Sequence, residues 1–144
     1  MLTLQQADVL RQRLAKFDAW LDTKRTRNGW ASYKPEDIPP DVPTVDNDER
    51  SALEVCDFVN DPPASYFVYI KERVPGQAAP LVGTATTWTG ERLGWVRFGR
   101  PWRDNFGGTR VPARIEAING RYYVGTYYKS AGDFARIRLA KGGR

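Results

Sequence analysis

Val111-Pro112-Ala113-Arg114-Ile115-Glu116-Ala117-Ile118-Asn119-Gly120-Arg121-Tyr122-Tyr123-Val124-Gly125-Thr126-Tyr127-Tyr128 sets two alternating runs on either side of an Asn-Gly pair. Asn-Gly in this setting is a strong hairpin signal, because a two-residue type I′ turn needs φ > 0 at both central positions. If Ile118 faces Arg121, the later pairs follow. One face then matches Ala117 with Tyr122, Ile115 with Val124, Ala113 with Thr126 and Val111 with Tyr128, and reads as core. The other matches Glu116 with Tyr123, Arg114 with Gly125, Pro112 with Tyr127 and Arg110 with Lys129, and reads as solvent-facing. A slip of one residue would bury the charged set, so the pattern specifies this register.

Further strand patterns lie on both sides of the hairpin. They are the aromatic and β-branched run Tyr66-Phe67-Val68-Tyr69-Ile70 and residues 82–89, 93–99 and 134–139. A loop containing Val74-Pro75-Gly76 closes the first run, while Thr89-Gly90-Glu91-Arg92 and Ser130-Ala131-Gly132-Asp133 supply later turns. Short strands at this spacing predict a small antiparallel barrel or strongly bent sheet. Upstream, Thr3 with Gln6 three residues on forms a capping-box pattern, and Ala7, Leu10, Leu14, Phe17 and Leu21 make one helical stripe. Trp20 lies off that stripe. Asn28-Gly29 offers a left-handed turn at the helix end. A second helix is signalled by Asp46 as cap, Glu49 three residues later, and Ala52, Leu53, Val55, Cys56, Phe58 and Val59 inward. The fold class expected is α+β, divided into an N-terminal amphipathic helix (1–29), an acidic proline-rich connector with a short helix (30–63), and the β domain (64–144).

Charge divides the chain. Residues 85–144 hold twelve Lys/Arg against four Asp/Glu, a net of +8, whereas residues 1–84 carry −3. Within the acidic half, residues 36–61 contain nine acids and one base, Arg50. A basic surface of this kind suits an anionic partner, and nucleic acid comes first. The connector residues 36–48 are then a candidate competitor for that surface. A composition 41% hydrophobic and 27% charged is that of a folded domain, with no apolar run long enough for a membrane span and no signal-peptide pattern. One cysteine, Cys56, precludes an internal disulfide, fits a reducing cytoplasm, and in this acidic neighbourhood reads as a buried apolar residue. With no histidine and one cysteine, Cys/His zinc sites and Ser-His or Cys-His nucleophiles cannot be assembled. No cofactor is expected, and the function class expected is binding without catalysis.

Alternation places Trp95 and Arg97 outside Val96 and Phe98, and Arg136 and Arg138 outside Ala135, Ile137 and Leu139. The expected nucleic-acid-binding set is therefore Trp95, Arg97, Arg110, Arg114, Tyr123, Tyr127, Lys129, Arg136 and Arg138. It is joined by Arg100, Trp102 and Arg103 from the loop Gly99-Arg100-Pro101-Trp102-Arg103-Asp104-Asn105-Phe106-Gly107-Gly108. Arginine suits phosphate, and exposed rings stack on unpaired bases. A loop that folds Trp102 and Phe106 over the barrel end is the other reading of that stretch. The like-charge pair of Arg110 and Lys129 would be relieved by an anion, unless Asp104 or Glu116 neutralises it.

The strand Gly94-Trp95-Val96-Arg97-Phe98, the long loop after it, the Asn119-Gly120 hairpin and the closing Gly132-Asp133-Phe134 turn resemble an SH3-like small barrel. The resemblance covers about two-fifths of the chain and implies a fold, not an activity. Thr86-Thr87-Trp88-Thr89-Gly90 and Tyr127-Tyr128-Lys129-Ser130-Ala131-Gly132-Asp133 look like phrases of uncharacterised small proteins encoded by phages and prophages. That likeness implies a mobile-element origin, a bacterial host cytoplasm, and either nucleic-acid binding or inhibition of a host defence. A fainter likeness of Tyr66-Phe67-Val68-Tyr69-Ile70 and Leu81-Val82-Gly83 to GIY-YIG nucleases lacks the second tyrosine and the metal-binding glutamate. The partner expected is DNA or RNA. The alternatives are a host protein bound by an anti-CRISPR-type inhibitor, or a structural phage assembly. The chain is expected as a monomer or a weak homodimer through helix one.

Overall fold

In the computed structural model, which describes residues 1–72, 82–128 and 134–141, the hairpin around Asn119 forms with a different turn. Ala117 N–H donates to the Arg121 carbonyl (3.0 Å), and Gly120 N–H donates to the Ala117 carbonyl (3.0 Å). Three residues, Ile118-Asn119-Gly120, make the loop. Gly120 has φ +81°, and among the described residues positive φ is confined to glycine, so Asn119 cannot sit in a type I′ turn. This is a type I turn closed by a left-handed glycine, the three-residue hairpin with a G1 bulge.

The added loop residue shifts the register by one. Glu116 faces Tyr122, Ile115 faces Tyr123, Arg114 faces Val124, Ala113 faces Gly125, Val111 faces Tyr127 and Arg110 faces Tyr128. The first strand keeps its expected faces, with Val111, Ala113, Ile115 and Ala117 buried, while the second is turned over. Tyr123 (0% exposed) and Tyr127 (4% exposed) point into the barrel, which corrects their expected place outside. The doubled tyrosines at both ends of Tyr122–Tyr128 make either phase equally apolar there, so the centre decides. A Cβ on Gly125 would lie 2.7 Å from the Arg136 carbonyl, so the wall is too tightly curved there for any side chain. Glycine goes inward and the bulkier Val124 goes out. Side-chain bonds secure the result: the Tyr123 hydroxyl donates to the Pro63 carbonyl (2.7 Å), and Asn119 Nδ2 donates to the Phe58 carbonyl (3.1 Å).

Among the described residues seven strands form the sheet: β1 (Ser65–Glu72), β2 (Val82–Thr86), β3 (Arg92–Phe98), β4 (Trp102–Arg103), β5 (Thr109–Ala117), β6 (Tyr122–Tyr128) and β7 (Phe134–Leu139). All pairings are antiparallel, and the pairing of β3 with β5 closes β1-β2-β3-β5-β6-β7 into a six-stranded barrel. β4 continues along the same edge of β5 that β3 uses. Pro101, which has no N–H to give, interrupts the two, and Trp102 and Arg103 belong to this short strand rather than to a long loop. The interior is filled by Val68, Ile70, Leu93, Val96, Ile115 and Ile137, with Phe58 tilted against Tyr66 and Tyr123. Fully burying each of these aliphatic side chains contributes roughly 1.5–3 kcal/mol.

The chain divides into two compact units, Met1–Cys56 and Asp57–Arg144. In the first, α1 (Leu4–Asp22) begins on the Thr3–Gln6 capping box and buries Ala7, Leu10 and Phe17. Trp20 stacks on Phe17 and meets Tyr33 edge-on, widening that face. Gly29 is left-handed (φ +81°), but it closes a turn from Thr26 to Trp30 beyond the helix end. The connector forms a 3₁₀ turn at Pro35–Asp37 and then packs Val45 with Ala7, Leu10, Leu53 and Cys56. Arg13 of α1 donates to the Thr44 carbonyl (2.6 Å) and pairs with Glu49 (2.7 Å). The second helix, α2 (Asn47–Asn60), starts with the reciprocal bonds of Asp46 and Glu49. Among the described residues no helix is long and apolar enough to cross a membrane.

Candidate nucleic-acid interface

Strand alternation and the observed register lay the outward side chains of the barrel in rows. One row runs Val82–Arg97–Arg114–Val124–Arg138–Ser65 through β2, β3, β5, β6, β7 and β1. The next runs Lys71–Thr84–Trp95–Glu116–Tyr122. The first row holds three arginines and no carboxylate. Arg97 and Arg114 face each other directly across β3 and β5. Neither they nor Arg138 form an ion pair among the described residues. Like charges placed opposite one another cost about 0.2–1 kcal/mol. The sheet thus carries its like-charge pair here, not at Arg110, which faces Tyr128.

Two grooves flank this row. One, of about 610 Å³, is lined by Val82, Trp95, Arg97, Arg114, Glu116 and Tyr122. The second, of about 470 Å³, is lined by Ser65, Arg136 and Arg138 beside Val124, Gly125, Thr126 and Ile137. Several of the wall arginines lie against aromatic rings: Arg92 over Trp95 (4.6 Å), Arg114 over Tyr122 (5.7 Å) and Arg136 over Phe67 (5.7 Å). Arg136 also donates to the Ser65 hydroxyl (3.0 Å). A guanidinium already held this way gives up less freedom when it grips an anion.

The β4–β5 hairpin builds a third region. Asp104 Oδ1 accepts from Phe106 N–H (2.9 Å) and Gly108 N–H (2.9 Å), and Oδ2 accepts from Arg110 Nε (3.1 Å). The bond from Gly108 N–H is the main reason its carboxyl titrates below the ordinary aspartate range; the Phe106 and Arg110 bonds add to it, against a desolvation that opposes. Asp104 therefore neutralises Arg110, which also lies over Tyr128 (4.5 Å). Gly107 (φ +78°) closes the same three-residue loop as Gly120. Trp102, Arg103, Asp104, Asn105, Phe106, Arg110 and Thr126 line a groove of about 470 Å³.

The expected residues thus separate. Trp95, Arg97 and Arg114 share one groove, Arg136 and Arg138 another, and Trp102, Arg103 and Arg110 the hairpin. Arg100 is exposed in the link between β3 and β4. Tyr123 and Tyr127 belong to the core, and Lys129 lies outside the described residues, as do the loop at Val74-Pro75-Gly76 and the turn at Ser130-Ala131-Gly132-Asp133. The sequence reading missed Arg92, Tyr122, Tyr128 and Phe67. Phe67 was legible, since it alternates with the buried Val68 and Ile70. Among the described residues no three His, Cys, Asp or Glu side chains gather as a metal site requires. No protein-family model matches the sequence, and neither the curated proteins nor the solved structures yield a match.

Proposed function

We propose that the barrel is an SH3-like, non-enzymatic nucleic-acid-binding module that grips phosphates along the row Arg97–Arg114–Arg138. The observation that carries this reading is the arginine row itself: three exposed guanidinium groups with no ion-pair partner among the described residues, two of them set against each other. Phosphates held by Arg97 and Arg114, one at each guanidinium, turn the repulsion between them into two charge-assisted, bidentate-capable contacts. A diffuse anionic partner also accounts for the +8 carried by residues 85–144. The likeness of the Trp88 and Tyr127-Tyr128 phrases to phage and prophage proteins supports a mobile-element origin and action in a bacterial cytoplasm. Fluorescence anisotropy at low salt with labelled single- and double-stranded DNA and RNA tests the reading. Binding that weakens as salt rises supports it. Absence of binding to all four sinks it, and nuclease-resistant co-purification with a host protein would then favour an inhibitor of a host system.

A further inference from the structure

The β4–β5 hairpin differs from the arginine row in what it offers a ligand. Phe106, at its tip, is 92% exposed, and Trp102 at its base is 51% exposed. Both rings line one groove with Arg103, and with Asp104 and Arg110, which pair with each other and leave Arg103 as the groove's cation without an ion-pair partner among the described residues. On the barrel wall, by contrast, Trp95, Tyr122 and Phe67 each have a guanidinium over the ring. No such group covers Phe106 or Trp102 among the described residues. Together Phe106 and Trp102 leave two neighbouring rings open to solvent with polar groups around them, the composition of an interaction site rather than of a lone exposed side chain.

The tip is also held in place. Asp104 accepts from the backbone of Phe106 and Gly108, and Trp102 and Arg103 pair with Arg110 and Thr109. At the base, Gly108 fits closely against the Tyr128 ring, leaving no room for a side chain, and Arg110 covers that ring. An ordered pair of open rings beside the Arg103 guanidinium has the composition of a base-stacking platform, in which rings take the bases and a cationic side chain takes the backbone. A duplex keeps its bases stacked on one another and offers such rings no free faces.

Resting on the reading above, we propose that the hairpin is a base-stacking element and that the preferred ligand is single-stranded nucleic acid, its unpaired bases stacked on Trp102 and Phe106. The distance fits one continuous ligand: Trp102 pairs with β5 at position 110, and Arg114 of the row lies on the same outer side of β5, four residues or about 13 Å further along. The test compares full-length protein with its Phe106→Ala, Trp102→Ala and Arg97→Gln/Arg114→Gln variants, using a labelled oligothymidine and a duplex of equal length across a salt series. The oligothymidine should bind more tightly than the duplex. Phe106→Ala and Trp102→Ala should each weaken its binding by about ten- to a hundred-fold, with the slope of log affinity against log salt unchanged. The double arginine variant should instead flatten that slope. Phe106→Tyr should retain binding, and circular dichroism of Phe106→Ala should match the parent, since the ring is almost wholly exposed. Tighter duplex binding, or single-strand affinity unchanged in both alanine variants, overturns the proposal while leaving phosphate binding intact. Absence of binding by the parent overturns both.

Discussion

Replacing Arg97 with glutamine removes one member of the like-charge pair on the barrel wall, and the free protein should become more stable. Arg97 faces Arg114 directly, and no carboxylate pairs with either among the described residues. Two unit charges about 7 Å apart in water repel by about 0.6 kcal/mol, which screening near physiological salt reduces to about 0.3 kcal/mol. Glu116, diagonal to Arg97 beyond the Arg97–Arg114 pair, attracts it at longer range and takes back part of the gain. The melting temperature should therefore rise by roughly 1–3 °C at low ionic strength, with the gain vanishing near 1 M salt. Arg114→Gln relieves the same repulsion but loses the contact with the Tyr122 ring, worth about 0.5 kcal/mol at an exposed site, so its melting point should barely move. Thermal melts by circular dichroism at three salt concentrations read both. A lower or unchanged melting point for Arg97→Gln at low salt, or a gain that persists at 1 M, refutes the reasoning.

Other substitutions report on the register and the hairpin. Tyr123→Phe should cost about 1–2 kcal/mol by removing the hydroxyl that donates to the Pro63 carbonyl, while Tyr122→Phe stays near neutral in the same denaturation assay; the opposite order would favour the two-residue turn. Asn119→Gly suits a type I′ turn, yet here it removes bonds to the Phe58 carbonyl and Arg121 N–H and should destabilise by about 1–2 kcal/mol in urea melts. Asp104 has its carboxyl lowered, so its support of the hairpin is complete above the ordinary aspartate value and is lost only as pH falls through the lower, folded value. In an acid titration followed by NMR, the Phe106 and Gly108 amide shifts should move with a midpoint below that of an exposed aspartate; a midpoint at or above it contradicts the bonding.

What could be read in the sequence was what neighbouring residues decide. The capping boxes at Thr3–Gln6 and Asp46–Glu49 form as read, because each is settled within one helical turn. The strand alternation of Arg97, Arg136 and Arg138 against Val96, Ala135 and Ile137 also holds. The phase of Tyr122–Tyr128 was not legible, since local polarity does not distinguish Tyr122 from Tyr123 or Tyr127 from Tyr128. The deciding clash at Gly125 comes from a carbonyl on β7, which only barrel closure brings near. Likewise the Arg97–Arg114 pair joins residues seventeen apart through the β3–β5 seam, so no local pattern announces it. Sequence reasoning placed Arg97, Arg114, Arg136 and Arg138 on the outer face, where the structure has them, and set Tyr123 and Tyr127 beside them, where the structure buries both.

The salt dependence of nucleic-acid binding, compared between the parent and the Arg97→Gln/Arg114→Gln variant, tests phosphate binding by the arginine row most directly. With Arg97, Arg114 and Arg138 each neutralising one phosphate, log affinity should fall against log salt with a slope of at least about −2 on single strands. The double variant should lose roughly two-thirds of that slope. An affinity indifferent to salt, or a slope the same in parent and variant, contradicts the assignment of the phosphate contacts to this row.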